Sequence, residues 1–155
     1  MLQKHGQDEE SQSGIMQLSC FYISNVLCGV DINAVQEINK NLALTTVPLA
    51  PEYVLGIMNL RGQLVTVIDP GRKLELRPAQ MGSQARVIII KWQSEYVGLM
   101  VDNITDVYTA NLDDIVPPPS NIKGAKGKFF QGVYKTGQEL VGILDVEALC
   151  QVSSS

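Results

Sequence analysis

Two stretches of the chain repeat the same order of residue types, and this repeat constrains the fold more than any other feature. Gly56 to Asp69 reads as glycine, an apolar run, a polar centre, a second apolar run and an aspartate, and Gly132 to Asp145 repeats that order. Apolar, β-branched runs around a polar centre that contains glycine are typical of a β-hairpin, because glycine tolerates the positive φ of a tight reversal. The sequence therefore predicts one hairpin used twice.

The repeat extends toward the N-terminus of each half. Similar pieces in a fixed order indicate architecture even where a single strand is hard to assign. Convergent β patterning can explain any one match, but several matches in the same order favour a true repeat of two halves. The matching pairs are Gln17 to Ile23 with Arg86 to Trp92, Val30-Asp31 with Val101-Asp102, and Val35 to Ile38 with Ile104 to Val107.

Composition indicates a globular protein and argues against two functional classes. The 155 residues are 45% hydrophobic and 18% charged. A chain of this length and composition can bury a hydrophobic core without disulfide bonds or structural metal ions. The net charge of -4 argues against a nucleic-acid binder. No uncharged apolar run reaches the ~20 residues that a membrane span needs, and the polar N-terminus lacks the apolar core of a signal peptide. We therefore expect a cytoplasmic protein with no direct membrane insertion, whose three cysteines are buried free thiols.

About ten short strands separated by turn signals predict an all-β fold, with short helical turns. Two small barrels packed side by side fit the length of the chain. We expect a disordered tail over residues 1–14, a folded domain over 15–150 whose halves meet near 78–85, and a frayed end over 151–155. Three local expectations are a helix or turn at Ala34 to Ile38, a half-buried strand at Leu42 to Val47, and a mobile loop at Asn121 to Gly127.

The inventory of catalytic groups is poor. The only histidine, His5, lies in the predicted tail, so no positioned imidazole base is expected. We predict no catalytic residue, no metal site and no cofactor. Paired carboxylates could do acid-base chemistry, but aspartates at strand ends more often accept hydrogen bonds from turn amides. The acidic residues at strand ends are Asp31, Glu37, Asp69, Asp102, Asp106 and Asp145.

Arg61 leaves two interpretations open. It stands at the bend of the otherwise apolar hairpin Met58-Asn59-Leu60-Arg61-Gly62, where a charged side chain is usually just solvated. Arginine also presents a planar fork of donors suited to carboxylates and carbonyls, and it is enriched at interface anchors. Sequence physics alone weighs these two interpretations equally.

The same segments resemble a known family, the bacterial chemotaxis coupling proteins of the CheW-like domain family. The resemblance covers nearly everything from Ile15 to Leu149, and its most specific part is the Asn59-Leu60-Arg61-Gly62 hairpin. It also rests on Val30-Asp31-Ile32, Val35 to Ile38, the Pro48 to Pro51 approach, Gly56, Val67-Ile68-Asp69, Val101-Asp102 and Asp106-Val107. The resemblance implies two five-stranded SH3-like barrels. The chain departs from typical members at Met58 and in the glycine-lysine loop before Phe129.

The resemblance further implies a non-enzymatic adaptor that joins transmembrane chemoreceptors to a histidine kinase. Its implied partners are the cytoplasmic hairpin tip of methyl-accepting chemoreceptors and the regulatory domain of the kinase, which would recruit a cytoplasmic protein to receptor arrays. A sister chemosensory system that controls pili or another output is the alternative. A small carboxylate hydrolase and a self-pairing structural domain are the rivals from other classes. The implied receptor-facing residues are Val35, Glu37, Ile38, Gly56, Asn59, Arg61, Val101 and Ile104.

Overall fold

The computed structural model describes residues 14–40, 42–79 and 82–151. The predictions for His5 and for most of the N-terminal tail and the C-terminal end therefore fall outside the described residues. Thirteen strands occur in the described ranges. They are β1 (Ile15–Ile23), β2 (Val26–Asp31), β3 (Val35–Asn39), β4 (Val54–Leu60), β5 (Gln63–Ile68), β6 (Arg86–Trp92), β7 (Glu95–Val101), β8 (Asn103–Asn111), β9 (Ile115–Val116), β10 (Asn121–Ile122), β11 (Ala125–Lys126), β12 (Phe130–Thr136) and β13 (Glu139–Leu144).

Short helices lie between these strands and after the last one. Two α-helices, α1 (Pro70–Lys73) and α2 (Val146–Cys150), follow the two repeated hairpins. Three 3-10 helices cover Ile32–Ala34, Leu112–Asp114 and Gly127–Phe129. The described residues are thus mostly strand, and the all-β prediction is confirmed.

The strands form two main sheets, each the wall of an SH3-like barrel. The five-stranded barrel has the order β3-β6-β7-β5-β4, and the six-stranded barrel has the order β8-β1-β2-β13-β12-β9. Strands β10 and β11 form a separate two-stranded sheet. Both repeated hairpins are present, and each carries a register shift at its glycine, between Val54 and Gly56 and between Phe130 and Gly132.

The two barrels exchange strands between the two halves of the sequence. Strands β1 and β2 of the first half join β8, β12 and β13 of the second, while β6 and β7 of the second half join β3, β4 and β5 of the first. Both sheets therefore take strands from both sides of residues 78–85, where we expected the halves to meet. Four pairings cross between the halves: β1 with β8, β2 with β13, β3 with β6 and β5 with β7. The pairing of β9 with β12 stays within the second half.

Very short connections enforce this exchange. Only the 3-10 helix Ile32–Ala34 separates β2 in one barrel from β3 in the other, and only Asp102 separates β7 from β8. A connection this short leaves no chain for a return to the sheet that it has just left. Each half therefore begins in one barrel and ends in the other.

Three apolar clusters follow from the two sheets. One fills the six-stranded barrel around Leu18 and Ile143, one fills the five-stranded barrel around Val67 and Ile89, and the largest lies between the sheets. Strand β6 shows how the pattern arises, because Val87 and Ile89 point into the barrel while Ile88 and Ile90 point into the central cluster. Successive side chains alternate faces in a strand, so a strand buried on both faces reads as an unbroken apolar run.

Aspartates at strand ends accept hydrogen bonds from nearby amides, as predicted. Asp31 Oδ1 accepts from Asn33 N at 2.9 Å, and Asp145 Oδ1 accepts from Ala148 N at 3.2 Å at the start of α2. Asp69 Oδ1 accepts from Gly71 N at 3.0 Å at the start of α1, and Asp102 Oδ2 accepts from Ser24 N at 3.1 Å. These four carboxylates stabilise turns and helix starts.

Three local predictions were wrong. Ala34 to Ile38 is the end of a 3-10 helix followed by strand β3, because pairing with β6 overrides the weak helical spacing. Leu42 to Val47 contributes only a bridge from Thr45 to Ile57. Asn121 to Gly127 is not a loop but contains the β10–β11 hairpin, whose turn is held by a hydrogen bond from Gly124 N to Asn121 Oδ1 at 2.9 Å.

All three cysteines are free and buried, as predicted. Burial raises the pKa of the Cys20 thiol to about 12 and that of Cys150 to about 11, and it also raises the pKa of Cys28. Such thiols stay protonated near neutral pH and are poor nucleophiles. No helix in the described ranges is long and apolar enough to cross a membrane.

Candidate functional site

The turn between β4 and β5 presents Arg61 in an unusual backbone conformation. Leu60 pairs with Gln63, so Arg61 and Gly62 are the two central residues of the turn. Their φ angles are 53° and 87°, and two positive φ angles are typical of a type I′ turn. Asn59 Oδ1 accepts a hydrogen bond from Gly62 N at 2.7 Å and fixes the turn. Asn59 therefore serves the local fold, while Arg61 is displayed at the tip.

The repeated hairpin supplies an internal comparison for Arg61. The corresponding position in the β12–β13 turn is Gly137, whose φ is 56°. A left-handed backbone costs an L-residue with a Cβ roughly 1–2 kcal/mol, a cost that glycine does not carry. Non-glycine residues with a positive φ also stand at the first position of three other hairpin turns, namely Ser24, Gln93 and Lys123, so the turn tolerates several residue types and does not require an arginine. Since folding does not require that arginine, its guanidinium is a candidate for function.

The Arg61 guanidinium contacts strand β3, the opposite edge of the same sheet. Arg61 Nη2 donates to Glu37 Oε1 at 2.7 Å, and Asn39 Nδ2 donates to Glu37 Oε2 at 3.4 Å. The Arg61 side chain is still 72% exposed, whereas that of Glu37 is 27% exposed. The ion pair holds the guanidinium in place, and its outer donors face solvent.

The ion pair shifts the pKa of both groups. The hydrogen bond from Arg61 lowers the pKa of the Glu37 carboxyl below its ordinary value, and the Glu37 carboxylate raises the pKa of Arg61. Because the folded-state pKa of Glu37 is depressed, the pair is present above the ordinary carboxyl range and is lost as pH falls through the lowered pKa. The pair is therefore intact at physiological pH.

Replacing Arg61 is expected to raise the pKa of Glu37 toward its ordinary value. Carboxyl carbon shifts of the side chain, followed by NMR from neutral to acidic pH, should show Glu37 titrating at higher pH in Arg61→Gly than in the unmodified protein. The Glu37 titration should stay unchanged in the control variant Lys123→Gly, which removes a turn cation of the β10–β11 hairpin. An unchanged Glu37 titration would show that the ion pair does not form in solution.

Exposed aliphatic side chains lie at matching positions on two strands. Ile38 on β3 is 42% exposed, and Val107 on β8 is 51% exposed. They correspond in the repeat, and each stands on the edge strand of its barrel. Sequence reasoning named Ile38 but missed Val107, although the repeat alignment of Val35 to Ile38 with Ile104 to Val107 could have identified it.

Three other candidates lie at the central cluster between the sheets. Val101 is fully buried there, so it has no surface for a partner and supports the crossover to β8 instead. Val35 and Ile104 are partly buried and pack against the same cluster. These two residues correspond in the repeat, and they join the exposed edges of the two barrels to the shared core.

Gly56 is buried and allows a close approach of the backbone. A Cβ atom at this position would lie 2.6 Å from Thr45 O and 3.1 Å from Leu44 Cβ. Thr45 and Ile57 exchange backbone hydrogen bonds at 2.9 and 2.8 Å at this point. Gly56 therefore permits the segment before Pro48 to lie against β4.

The structure brings Glu37, Asn59 and Arg61 together at the turn between β4 and β5, and Ile38 is exposed on β3 next to Glu37 in sequence but on the other face of the strand. Val35, Val101, Ile104 and Gly56 lie inside the framework that supports this end of the barrel. The exposed guanidinium of Arg61, held in place by Glu37, suits recognition of carboxylates or carbonyls of a protein partner. In the described ranges, no three His, Cys, Asp or Glu side chains are grouped as metal ligands would be.

Known proteins are similar to this chain over most of its length. A family model described as "CheW-like domain" matches residues 17–154. A chemotaxis protein CheW of Treponema pallidum is 31% identical over 137 residues, which cover 86% of this chain and 81% of that protein. A probable chemotaxis protein CheW of Rhizobium etli is 29% identical over 142 residues, or 92% of each chain. Protein FrzA of Myxococcus xanthus is 27% identical over 135 residues, or 86% and 84%.

A solved structure has the same fold. The crystal structure of scaffolding protein TtCheW from Thermoanaerobacter tengcongensis superposes with a TM-score of 0.83 at 28% sequence identity. The match covers 90% of this chain and 90% of that one. The likeness therefore extends to both barrels.

Proposed function

The chain belongs to the CheW-like domain family, and on that basis we propose that it is a non-enzymatic adaptor that couples transmembrane chemoreceptors to a histidine kinase. The relatives named for chemotaxis and the structural neighbour named as a scaffolding protein support a coupling role. The observation that carries the proposal is Arg61, whose exposed guanidinium is held at the turn by Glu37 with its outer donors facing solvent.

The exposed end of the five-stranded barrel captures the cytoplasmic hairpin tip of a receptor. Ile38, which is 42% exposed on the edge strand β3, removes apolar area from water on binding, at ~25 cal/mol per Å². Arg61 donates to carboxylates or carbonyls of the tip, and charge-assisted hydrogen bonds of this kind fix orientation. Polar contacts of this sort contribute specificity and apolar contacts contribute affinity.

A second surface binds the regulatory domain of the kinase, so that one adaptor holds two partners. Binding of one partner then raises the local concentration of the other. Two receptor states that contact the adaptor differently shift the kinase between two activities without any chemistry on the adaptor. The protein therefore acts in the cytoplasm and is recruited to receptor arrays at the membrane.

Arg61→Gly is expected to fold normally and to weaken binding of a receptor hairpin-tip fragment by about ten- to a hundredfold, as truncation of an interface anchor does. Folding should be preserved because glycine suits the positive φ at this position. Backbone amide shifts of the isotopically labelled protein, followed by NMR during titration with the fragment, give both the affinity and the perturbed surface. The unmodified protein should respond around Glu37 and Arg61.

Lys123→Gly is the matched control for this variant. Lys123 is also an exposed cation in a turn, with φ 50°, but it lies on the separate two-stranded sheet of β10 and β11. Its replacement removes the same charge and relieves the same strain, and tip affinity should stay unchanged. Equal affinities for Arg61→Gly and the unmodified protein would sink the assignment of Arg61 as an anchor.

An adaptor of a sister chemosensory system, with pili or another output, is the second candidate. We retain this second candidate because the chain is similar to Protein FrzA, whose name does not refer to chemotaxis. Deletion of the gene should abolish directed swimming in the first case and leave swimming intact while altering surface motility or another output in the second. The receptor-tip titration is expected to succeed in both cases, so the two experiments address separate questions.

A further inference from the structure

A β-bulge in strand β3 sets the direction of the Glu37 side chain. Val35 pairs with Ile90 and Glu37 pairs with Ile89, so Gln36 is an extra residue between the two pairs. Residues that pair across neighbouring strands lie on the same face of a sheet. Because Ile90 points into the central cluster and Ile89 points into the five-stranded barrel, Val35 and Glu37 lie on opposite faces. The bulge therefore turns Glu37 away from the central cluster.

Asn39 follows Glu37 on the same face of β3. It pairs with Val87, which also points into the five-stranded barrel, and it is partly buried. Asparagine is depleted in strands, so backbone preference does not explain its place here. Its amide makes a contact, because Asn39 Nδ2 donates to Glu37 Oε2 at 3.4 Å while Arg61 Nη2 donates to Glu37 Oε1 at 2.7 Å. Each oxygen of the carboxylate thus accepts from a different side chain.

This division of the two oxygens keeps most of the guanidinium available. Arginine and a carboxylate often form a bidentate pair, in which two donors are committed to two oxygens. Here the hydrogen bond joins Arg61 Nη2 to Glu37 Oε1, and the Arg61 side chain remains 72% exposed. The amide of Asn39, which holds Oε2, therefore favours a pair that fixes Arg61 and leaves its outer donors facing solvent.

The second barrel has a matching bulge but not the amide. Strand β8 shifts its register against β1, as β3 does against β6. Asp106 and Tyr108 of β8 stand at the positions of Glu37 and Asn39 in the repeat. Asp106 is exposed, and Tyr108 packs against the apolar cluster of the six-stranded barrel. The bulge therefore belongs to the repeated fold, whereas the amide beside the carboxylate is specific to the barrel that carries Arg61.

We propose that Asn39 is a positioning residue for recognition of the receptor tip, because its amide holds the Glu37 carboxylate in the orientation that fixes the Arg61 guanidinium. Hydrogen bonds from Arg61 and from Asn39 both lower the pKa of Glu37, so both favour the charged carboxylate that the arginine needs. This role rests on the proposed adaptor function, but the contact of Asn39 with Glu37 can be measured without any partner.

Asn39→Ala removes the amide and leaves the backbone pairing of β3 in place. Carboxyl carbon shifts should show Glu37 titrating at higher pH than in the unmodified protein, because one of its two donors is gone. Nitrogen relaxation should show a more mobile Arg61 Nε–H group, since the partner carboxylate can rotate. Binding of the receptor hairpin-tip fragment should weaken about three- to tenfold, the range for one hydrogen bond. Gln131→Ala, which removes an exposed amide from β12 in the other barrel, should change none of these quantities.

The Glu37→Ala background shows whether Asn39 acts through the carboxylate. Arg61 has already lost its partner there, so Asn39→Ala should cause no further loss of tip affinity. If Asn39→Ala folds poorly, Asn39→Leu, which keeps the size and lacks the donor, replaces it. An equal loss with and without Glu37 would make Asn39 a direct contact of the tip and overturn the proposal.

The two measurements without a partner separate this role from the adaptor function. If the unmodified protein does not bind the tip fragment, the proposed function fails, and the Glu37 titration and the Arg61 relaxation still decide whether Asn39 holds the carboxylate. A Glu37 titration that is unchanged or moves to lower pH in Asn39→Ala, or an unchanged Arg61 relaxation, overturns the positioning role whether or not the tip binds.

Discussion

When the chain is cut between Met81 and Gly82, the two halves should stay unfolded as separate fragments. They should assemble into one folded complex when they are mixed. The reason is the exchange of strands between the barrels. Each half alone retains its hairpins but loses the pairings of β1 with β8, β2 with β13, β3 with β6 and β5 with β7. An isolated hairpin is at best marginally stable in water, and strand β3 would have no partner in its own half.

Circular dichroism and amide NMR spectra of each fragment, and then of the equimolar mixture, measure this effect. The mixture should reproduce the dispersed spectrum of the uncut chain and should unfold in one cooperative transition. The uncut chain, denatured and refolded in the same buffer, is the control for recovery. A fragment that folds on its own, as a monomer or paired with itself, would show that a single half contains a sufficient sheet.

Asp69→Ala is expected to lower the free energy of unfolding by about 3 kcal/mol, because it leaves backbone donors unsatisfied at a buried position. Asp69 is 1% exposed and accepts from Gly71 N at 3.0 Å and from Ala79 N at 2.9 Å. It therefore ties the start of α1 to the segment that leads into the second half of the chain. No other residue type of similar size offers two carboxylate oxygens to both amides.

The repeat again supplies the control, since Asp145 occupies the corresponding position before α2. Asp145 is partly exposed and accepts from Ala148 N at 3.2 Å, so Asp145→Ala should cost only about 1 kcal/mol, the usual value for a helix cap. Denaturant midpoints of the two variants at constant slope measure the difference. Similar losses in both would mean that burial of Asp69 adds nothing to an ordinary cap.

The exchange of strands also explains how the candidate site is held. Glu37 and Arg61 both come from the first half of the sequence. Glu37 lies on the edge strand β3, and Arg61 lies in the turn that joins the other edge strand, β4, to β5. Strands β6 and β7 of the second half lie between those edges and fix their separation. The functional surface therefore depends on both halves, although its side chains come from one.

Some features of the site could be predicted from the sequence and others could not. Arg61 drew attention because a charged residue interrupts an apolar hairpin, and Glu37 and Ile38 entered through family resemblance. The contact between Arg61 and Glu37 joins residues 24 positions apart, and no local pattern indicates it. Val101 and Gly56 were named as partner-facing residues, yet one is buried in the core and the other permits a close backbone approach.

The features that could be predicted from the sequence alone are those that depend on a few neighbouring residues. Alternating or unbroken apolar runs predicted the strands, glycines predicted turns, and aspartates at strand ends predicted hydrogen bonds with turn amides. These signals act over a few residues, so they are readable one segment at a time. They were sufficient for the all-β class, the repeated hairpin and most of the strand positions.

Only the tertiary structure decided which strands pair. The two halves offer hairpins of nearly the same pattern, so either half could supply a partner as far as local propensity is concerned. The choice is made by the short connections at Ile32–Ala34 and Asp102 and by burial of both sheets against one central cluster. Such contacts join distant residues, and their energies depend on packing that exists only when the whole chain is folded.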